Sequence, residues 1–153
     1  FSGVVFGASV LDGMLELNVS VNQQFMYAQR ADALIIATPT GSTAYSLAAH
    51  GPILHPQLAG ITLVPVAPQS LPNRPIVLPS DSVLEIEATA HQTAVAHFDV
   101  HSFAEVRRGD IVRIAQAPYR SIFWHPKSYN YFATLRQQLN WNLNPARPST
   151  ESV

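Results

Sequence analysis

Residues 38–46, with the sequence Thr-Pro-Thr-Gly-Ser-Thr-Ala-Tyr-Ser, form the segment best suited by composition to bind a ligand. They follow an apolar run at residues 33–37 and are predicted to connect a strand to a short helix, with Ser42 or Thr43 as N-cap. The backbone N–H groups at such a helix start attract phosphate, and the Tyr45 ring could stack on a base. An ordinary capped turn remains the alternative, because the segment matches neither a dinucleotide-binding fingerprint nor a P-loop.

Asp32 lies directly before this apolar run and two residues after Arg30. A carboxylate at that position could accept hydrogen bonds from an amide or a hydroxyl group of a ligand. The residues by themselves favour the alternative, an exposed ion pair in a turn that contributes little to stability. Both interpretations stay open.

Residues 97–101, with the sequence His-Phe-Asp-Val-His, bring two imidazoles and a carboxylate together. If the segment is one strand, alternation places His97, Asp99 and His101 on the same face, where they would form a metal-ligand set. A polar, half-exposed strand face is the competing interpretation. We favour it and predict no metal site in this chain, because no further His or Asp completes a recognisable metal-binding spacing.

Short strands are predicted for most of the chain. Residues 14–21 alternate between apolar and polar side chains, as in a half-buried strand, whereas residues 33–37 are continuously apolar, as in a strand buried on both faces. The other predicted elements are strands at residues 25–29, 61–66, 76–78, 83–88, 94–100 and 111–115, a helix at residues 131–139, and a disordered tail at residues 145–153. The expected fold class is therefore mainly β, α+β overall, with a β-sandwich-like arrangement.

The composition limits the classes of function. With 9 Lys and Arg against 10 Asp and Glu, the chain lacks the basic surface of a nucleic-acid-binding protein. No apolar run approaches the roughly 18 residues of a membrane-spanning helix, so we expect neither nucleic acid nor a membrane as partner. No cysteine, nucleophile elbow, His-Glu-x-x-His or Walker motif is present. Charged residues make up only 12%, about half the usual share, which predicts that a partner subunit or neighbouring domain covers part of the surface.

Residues 32–47 (DALIIATPTGSTAYSL) closely resemble the signature of the ATP-dependent NAD kinases. The likeness continues, in order, through residues 51–56 (GPILHP), 63–65 (LVP), 74–79 (RPIVLP), Asp99, Gly109 and 125–127 (HPK). It covers roughly residues 14–141, and the string TPTGSTAY is long and specific.

The resemblance implies the β-rich, C-terminal, NAD-binding domain of a two-domain kinase, here residues 1–144, with a short helix after TPTGSTAYS and a C-terminal helix. It implies phosphoryl transfer from ATP, with Mg²⁺, to the 2′-hydroxyl of the adenosine ribose of NAD, giving NADP. The family's Gly-Gly-Asp-Gly motif, whose Asp is the proposed base, does not occur in these 153 residues. We therefore assign no catalytic residue, expect the N-terminal α/β domain to lie upstream, and expect this chain to be inactive alone.

The resemblance also implies NAD-binding roles. Asp32 matches the carboxylate that holds the nicotinamide end, and Arg30 matches a basic position of the same site. His101 falls where many members have Gln, and Asp99 is expected to orient that loop. The full set of implied NAD-binding residues is Arg30, Asp32, Thr43, Ala44, Tyr45, Ser46, Leu47, Ala48 and His101.

Some positions depart from the family pattern, so other functions stay open. Extending the match upstream places the family's Asn-Glu nucleotide-binding pair on Ser2 and Gly3, which carry no carboxylate, and His50 stands where many members have Gly. A non-catalytic dinucleotide-binding or oligomerisation module that has lost the kinase half is the second hypothesis, and a lipid kinase of the related superfamily is a weaker third. The resemblance further implies a cytoplasmic homodimer or homotetramer.

Overall fold

A computed structural model describes residues 2–8, 13–91, 93–99 and 102–141. The chain divides into two compact units, residues 1–117 and residues 118–153. Among the described residues, the first unit contains two antiparallel sheets, a 3₁₀ helix and a short α-helix, and the second contains one α-helix. The predicted mainly β fold with two sheets is confirmed. A domain that extends to residue 144 stays a prediction, and the predicted tail at residues 145–153 lies outside the described residues.

The two sheets differ in size. The larger has six strands in the order β6-β5-β4-β1-β8-β9, and the smaller has four in the order β10-β7-β2-β3. The strands of the larger sheet are β1 (Gly3–Ala8), β4 (Ala33–Ala37), β5 (Gly60–Val66), β6 (Ile76–Pro79), β8 (Ala94–Phe98) and β9 (Ser102–Val106). The strands of the smaller sheet are β2 (Leu15–Val21), β3 (Gln24–Ala31), β7 (Leu84–Ala88) and β10 (Ile111–Ile114).

Eight of these ten strands lie where the pattern of apolar and polar side chains predicts them. The two that the sequence pattern missed are β1 and β9. In β9 only Val106 is buried, so the strand lacks the apolar alternation that identifies a half-buried strand. The turn between β2 and β3 is formed by Asn22 and Gln23, both with positive φ, as the tight turn of a hairpin requires.

The main hydrophobic core is formed by inward-facing side chains of both sheets. Its largest fully buried members are Phe6, Leu17, Leu34, Ile36, Leu63, Leu84 and Ile86. Strand β4 is buried on both faces, as predicted, because Ile35 and Ala37 form a second apolar cluster with Val64 on the opposite side of the sheet. The side chains of this second cluster are buried, and Ala49, in the segment that follows β4, is one of the residues that cover them.

The segment after β4 folds back over this second cluster. It comprises the signature turn (residues 38–44), which contains a 3₁₀ helix at Gly41–Thr43, and the helix α1 (Tyr45–Ala48). Ala49 packs against the second cluster. The N–H of Gly51 donates to the carbonyl of Ser46 at 2.8 Å. A Cβ on Gly51 would collide with Ser46 Oγ and would lie 2.8 Å from Val64 Cγ2, so the close approach of Gly51 to α1 and to β5 depends on glycine.

In the second unit the helix α2 (Tyr131–Leu139) has the bounds that its periodicity predicts. Asn130 caps its start, because its side-chain oxygen accepts from the N–H of Ala133 at 3.0 Å. Asn140 ends it in the left-handed conformation, with φ of 48°. Across the described ranges, no helix is long and apolar enough to cross a membrane.

Tyr27, on β3, packs against the main core, and burial raises its pKa to about 12 from an ordinary 10.0. The unfolded chain therefore releases the phenolic proton at lower pH than the folded chain. The contribution of the neutral phenol to stability is complete below pH 10 and is lost as pH rises towards 12. We expect Tyr27→Phe to lose less free energy of unfolding than the wild type between these values in urea titrations. Tyr119→Phe, at an exposed ring, should follow the wild type, and an identical loss in Tyr27→Phe would contradict the assignment.

Gly51→Ala should lower the free energy of unfolding, because the added methyl group overlaps Ser46 and Val64. We expect a loss of about 1–3 kcal/mol, the usual cost of overpacking. The control is Gly7→Ala on β1, where an added Cβ meets no atom within 4 Å and the change should stay within about 0.5 kcal/mol. Equal stabilities of the two variants in urea unfolding would show that α1 does not pack as described.

Candidate functional site

Ser42 holds the signature turn in place from inside. Its side chain is fully buried, its Oγ donates to the carbonyl of Pro39 at 2.6 Å, and the same Oγ accepts from the N–H of Leu54 at 3.0 Å. The hydroxyl therefore links the turn to the segment that follows α1. Thr43 uses its hydroxyl locally, donating to the carbonyl of Thr40 at 3.3 Å.

The prediction of Ser42 or Thr43 as N-cap of the helix is wrong. The backbone breaks at Ala44, which has φ of −103° and ψ of −128°, and α1 begins after it without a capping side chain. The Ser42 hydroxyl is already engaged by its two backbone partners. Because α1 has only four residues, its start carries little of the dipole on which the phosphate hypothesis relied.

The turn and α1 present an exposed edge, which we define as Thr43, Ala44, Tyr45 and Ala48. Tyr45 is 52% exposed although its ring is large and apolar. Ser46 is buried between them, and its Oγ has no hydrogen-bond partner within the described ranges. The structure thus brings four of the predicted NAD-binding residues together at the surface, whereas the Ser46 side chain is buried beneath them. Leu47 is half-buried.

Arg30 and Asp32 precede β4, whereas the signature turn and the exposed edge follow it. Arg30 Nε pairs with Glu16 Oε1 at 2.9 Å, and the backbone N–H of Asp32 donates to the carbonyl of Val66 at 3.0 Å. The ion pair of Arg30 is therefore made with the neighbouring strand β2. The five residues of β4, a strand length of about 17 Å, lie between Asp32 and the start of the signature turn.

A cleft of about 550 Å³ lies beside Arg30. Its lining comprises Glu16, Leu17, Ala28, Gln29, Arg30, Gln69, Ser70 and Thr89. Gln29 is 3% exposed, and its Nε2 is buried with no hydrogen-bond partner in the part of the chain that the structure describes. Its Oε1 accepts from Asn73 Nδ2 at 3.4 Å. Sequence reasoning missed Gln29, although a Gln at an inward position of a strand, between Tyr27 and Ala31, is a usable signal.

The predicted strand over residues 94–100 ends earlier, which removes the basis for a shared face of His97 and Asp99. Strand β8 ends at Phe98, and Asp99 adopts a positive φ of 52° in the following turn. Asp99 Oδ1 accepts from the N–H groups of Ser2 and Gly3 at 2.8 and 3.1 Å. His101 lies outside the described residues. Among the residues that are described, no group of three His, Cys, Asp or Glu side chains could hold a metal ion.

Comparison with known proteins identifies the family. The model of the ATP-NAD kinase C-terminal domain matches residues 3–125. The chain is 50% identical over 146 residues to the NAD kinase of Burkholderia thailandensis and 49% identical to that of Paraburkholderia phytofirmans. Both matches cover 95% of this chain and 49% of the relative, so the chain spans about half the length of the curated relatives it matches.

Solved structures show the same fold. Yeast NADH kinase complexed with NADH superimposes with a TM-score of 0.79 at 22% identity, over 98% of this chain and 46% of that one. An NAD kinase from Archaeoglobus fulgidus in complex with ATP gives a TM-score of 0.67 at 24% identity, over 75% of this chain and 45% of that one. With the family match over residues 3–125, these findings show that the chain belongs to the ATP-NAD kinase C-terminal domain family.

Proposed function

We propose that this chain is the NAD-binding portion of a cytoplasmic NAD kinase, an enzyme that transfers a phosphoryl group from ATP to the 2′-hydroxyl of the adenosine ribose of NAD. The family match over residues 3–125 carries the proposal. The relatives at 50% identity are named NAD kinase, and the two matched structures are described as complexes with NADH and with ATP. The absence of cysteine suits a reducing compartment.

In this proposal the exposed edge is the dinucleotide contact. The Tyr45 ring, half-exposed on a short helix, offers a flat face for stacking on a base or ring, and the exposed Thr43 side chain offers polar atoms. Ser46 and Leu47 support the exposed edge from its inner side, because Ser46 is buried and Leu47 is half-buried. His101 keeps its proposed role only through the resemblance.

Arg30 and Asp32 are proposed to hold the nicotinamide end. The cleft beside Arg30 gives room for a polar ring substituent, and Gln29 supplies a buried donor near it. Asp32 precedes β4 and the signature turn follows it, so within one copy the two groups belong to segments that leave opposite ends of a strand about 17 Å long. We propose a homodimer or homotetramer, in which one protomer's Asp32 end approaches the exposed edge of another. The exposed Phe25 and Phe103 on edge strands β3 and β9 suit such an assembly.

The phosphoryl transfer itself needs groups that these residues do not provide. The described residues include no group of three His, Cys, Asp or Glu side chains that could hold a metal ion by themselves. In this proposal Mg²⁺ would be held mainly by the phosphates of ATP, as is common for this ion. The Gly-Gly-Asp-Gly motif, whose Asp is the family's proposed base, is absent from the 153 residues. The role proposed for this chain is therefore to fix the dinucleotide, since in-line transfer depends mainly on positioning.

A non-catalytic dinucleotide-binding or oligomerisation module remains the second candidate. Ser2 and Gly3 favour it, because they stand where the family's Asn-Glu pair is expected. A side chain at position 3 would also be crowded, since a Cβ on Gly3 would lie 2.6 Å from the carbonyl oxygen of Ile36. Both candidates share NAD binding at the exposed edge, and formation of NADP from NAD and ATP by the native protein distinguishes them.

Tyr45→Ala should weaken NAD binding more than tenfold, or about 1.4 kcal/mol, because it removes the exposed ring without emptying the core. Isothermal titration calorimetry with NAD measures the dissociation constant. Tyr45→Phe keeps the ring and should bind within about threefold of the wild type, less than 1 kcal/mol.

The matched control is Tyr119→Ala, which removes another exposed tyrosine ring from the second unit. It should leave the NAD dissociation constant unchanged. Unchanged affinity in Tyr45→Ala would contradict the contact proposed for the exposed edge. A wild-type chain that does not bind NAD would contradict the function.

A further inference from the structure

Asp99 lies at the end of β8 and reaches back to the start of β1. Its carboxylate Oδ1 accepts from two successive backbone donors, the N–H groups of Ser2 and Gly3. The backbone N–H of Asp99 donates in turn to the carbonyl of Gly3 at 3.1 Å. Hydrogen bonds to a charged acceptor are stronger than neutral ones, so this carboxylate fixes the entry into β1. Its positive φ is one that Asp tolerates better than most residues.

Ser2 carries this constraint to the signature turn. The Ser2 carbonyl accepts from both the backbone N–H of Thr38 at 3.0 Å and Thr38 Oγ1 at 3.1 Å. The last ladder pair between β1 and β4 joins Gly3 and Ala37, so these contacts lie one residue beyond it. The start of the signature turn is therefore attached to a residue that Asp99 holds on its other side.

Gly41 completes the same junction by close approach. A Cβ on Gly41 would collide with the carbonyl of Ser2. The backbone of Gly41 can therefore lie against Ser2 only because it has no side chain. The turn then continues into Ser42, whose N–H donates to the carbonyl of Thr38 at 2.9 Å. Asp99, Ser2, Thr38 and Gly41 thus form one connected set of contacts.

We propose that Asp99 is a positioning residue that, through Ser2, holds the signature turn and hence the exposed edge in its ligand-binding geometry. Its part in ligand affinity rests on the proposed function; its part in holding the turn does not. The Ser2 carbonyl shares a planar peptide unit with the N–H of Gly3, so the bond from that N–H to Asp99 Oδ1 restricts the direction of the carbonyl. Without the carboxylate, the entry into β1 gains freedom, and the donors of Thr38 lose a fixed acceptor.

The test uses the full chain and the variant Asp99→Gly, which removes the carboxylate while permitting the positive φ. Amide hydrogen exchange by NMR should show faster exchange at Thr38 and Ser42, by about tenfold or more. The NAD dissociation constant should rise by about tenfold. Asp99→Asn keeps an oxygen at the Oδ1 position and should restore most of both quantities. A general loss of stability would accelerate exchange throughout the sandwich and would not be confined to the turn.

Asp110→Ala is the matched control, because Asp110 Oδ2 also accepts a backbone N–H within a tight turn, that of Arg107 at 2.8 Å. It should change neither exchange at Thr38 and Ser42 nor NAD affinity. If Asp99→Gly does not fold, Thr38→Val removes the hydroxyl bond to Ser2 and should give the same effects at smaller size.

Unchanged exchange at Thr38 and Ser42 in the folded Asp99→Gly variant would overturn the proposal. Faster exchange with an unchanged NAD dissociation constant would overturn its functional half while leaving NAD binding intact. If the wild-type chain binds no NAD, the proposed function fails, and the exchange rates alone decide whether Asp99 positions the turn.

Discussion

The burial of β4 on both faces is the constraint on which the rest of the structure depends. One face of this five-residue strand supplies Leu34 and Ile36 to the core between the sheets, and the other supplies Ile35 and Ala37 to a second cluster. Complete burial of each of the Leu and Ile side chains contributes about 1.5–3 kcal/mol. The outer cluster is covered in part by the segment after β4, so the chain must turn back at once, and that turn carries the exposed edge.

The same constraint separates the candidate site into two parts. A strand fixed in the middle of a six-stranded sheet holds its two ends at a constant distance, with Asp32 directly before its first residue and the signature turn directly after its last. Neither end can move towards the other without breaking the ladder on both sides. A homo-oligomer, as proposed, would bring the two ends together between protomers without deforming the sheet, and it also agrees with a surface that is poor in charge.

The sequence predicted the features that depend on local pattern. Alternation located β2, continuous apolar character identified β4 as buried on both faces, and helical spacing located α2. It did not predict the features set by tertiary contacts: Ser42 bonds inward to the segment after α1, and Asp99 leaves the strand to hold Ser2. The likeness of residues 32–47 to a family signature identified the family correctly, and physical patterns alone left the same segment ambiguous.

In the proposed function, the exposed edge binds NAD, whereas the buried side of the same turn only supports it. Titration of the isotopically labelled chain with NAD, followed by two-dimensional amide NMR, tests this directly. We predict that the largest changes in amide chemical shift occur at residues 43–48, with a second group at Arg30 and Asp32. The amide signals of α2 and β10 should remain unchanged. Changes confined to surfaces away from both ends of β4, or no saturable change, would contradict the account.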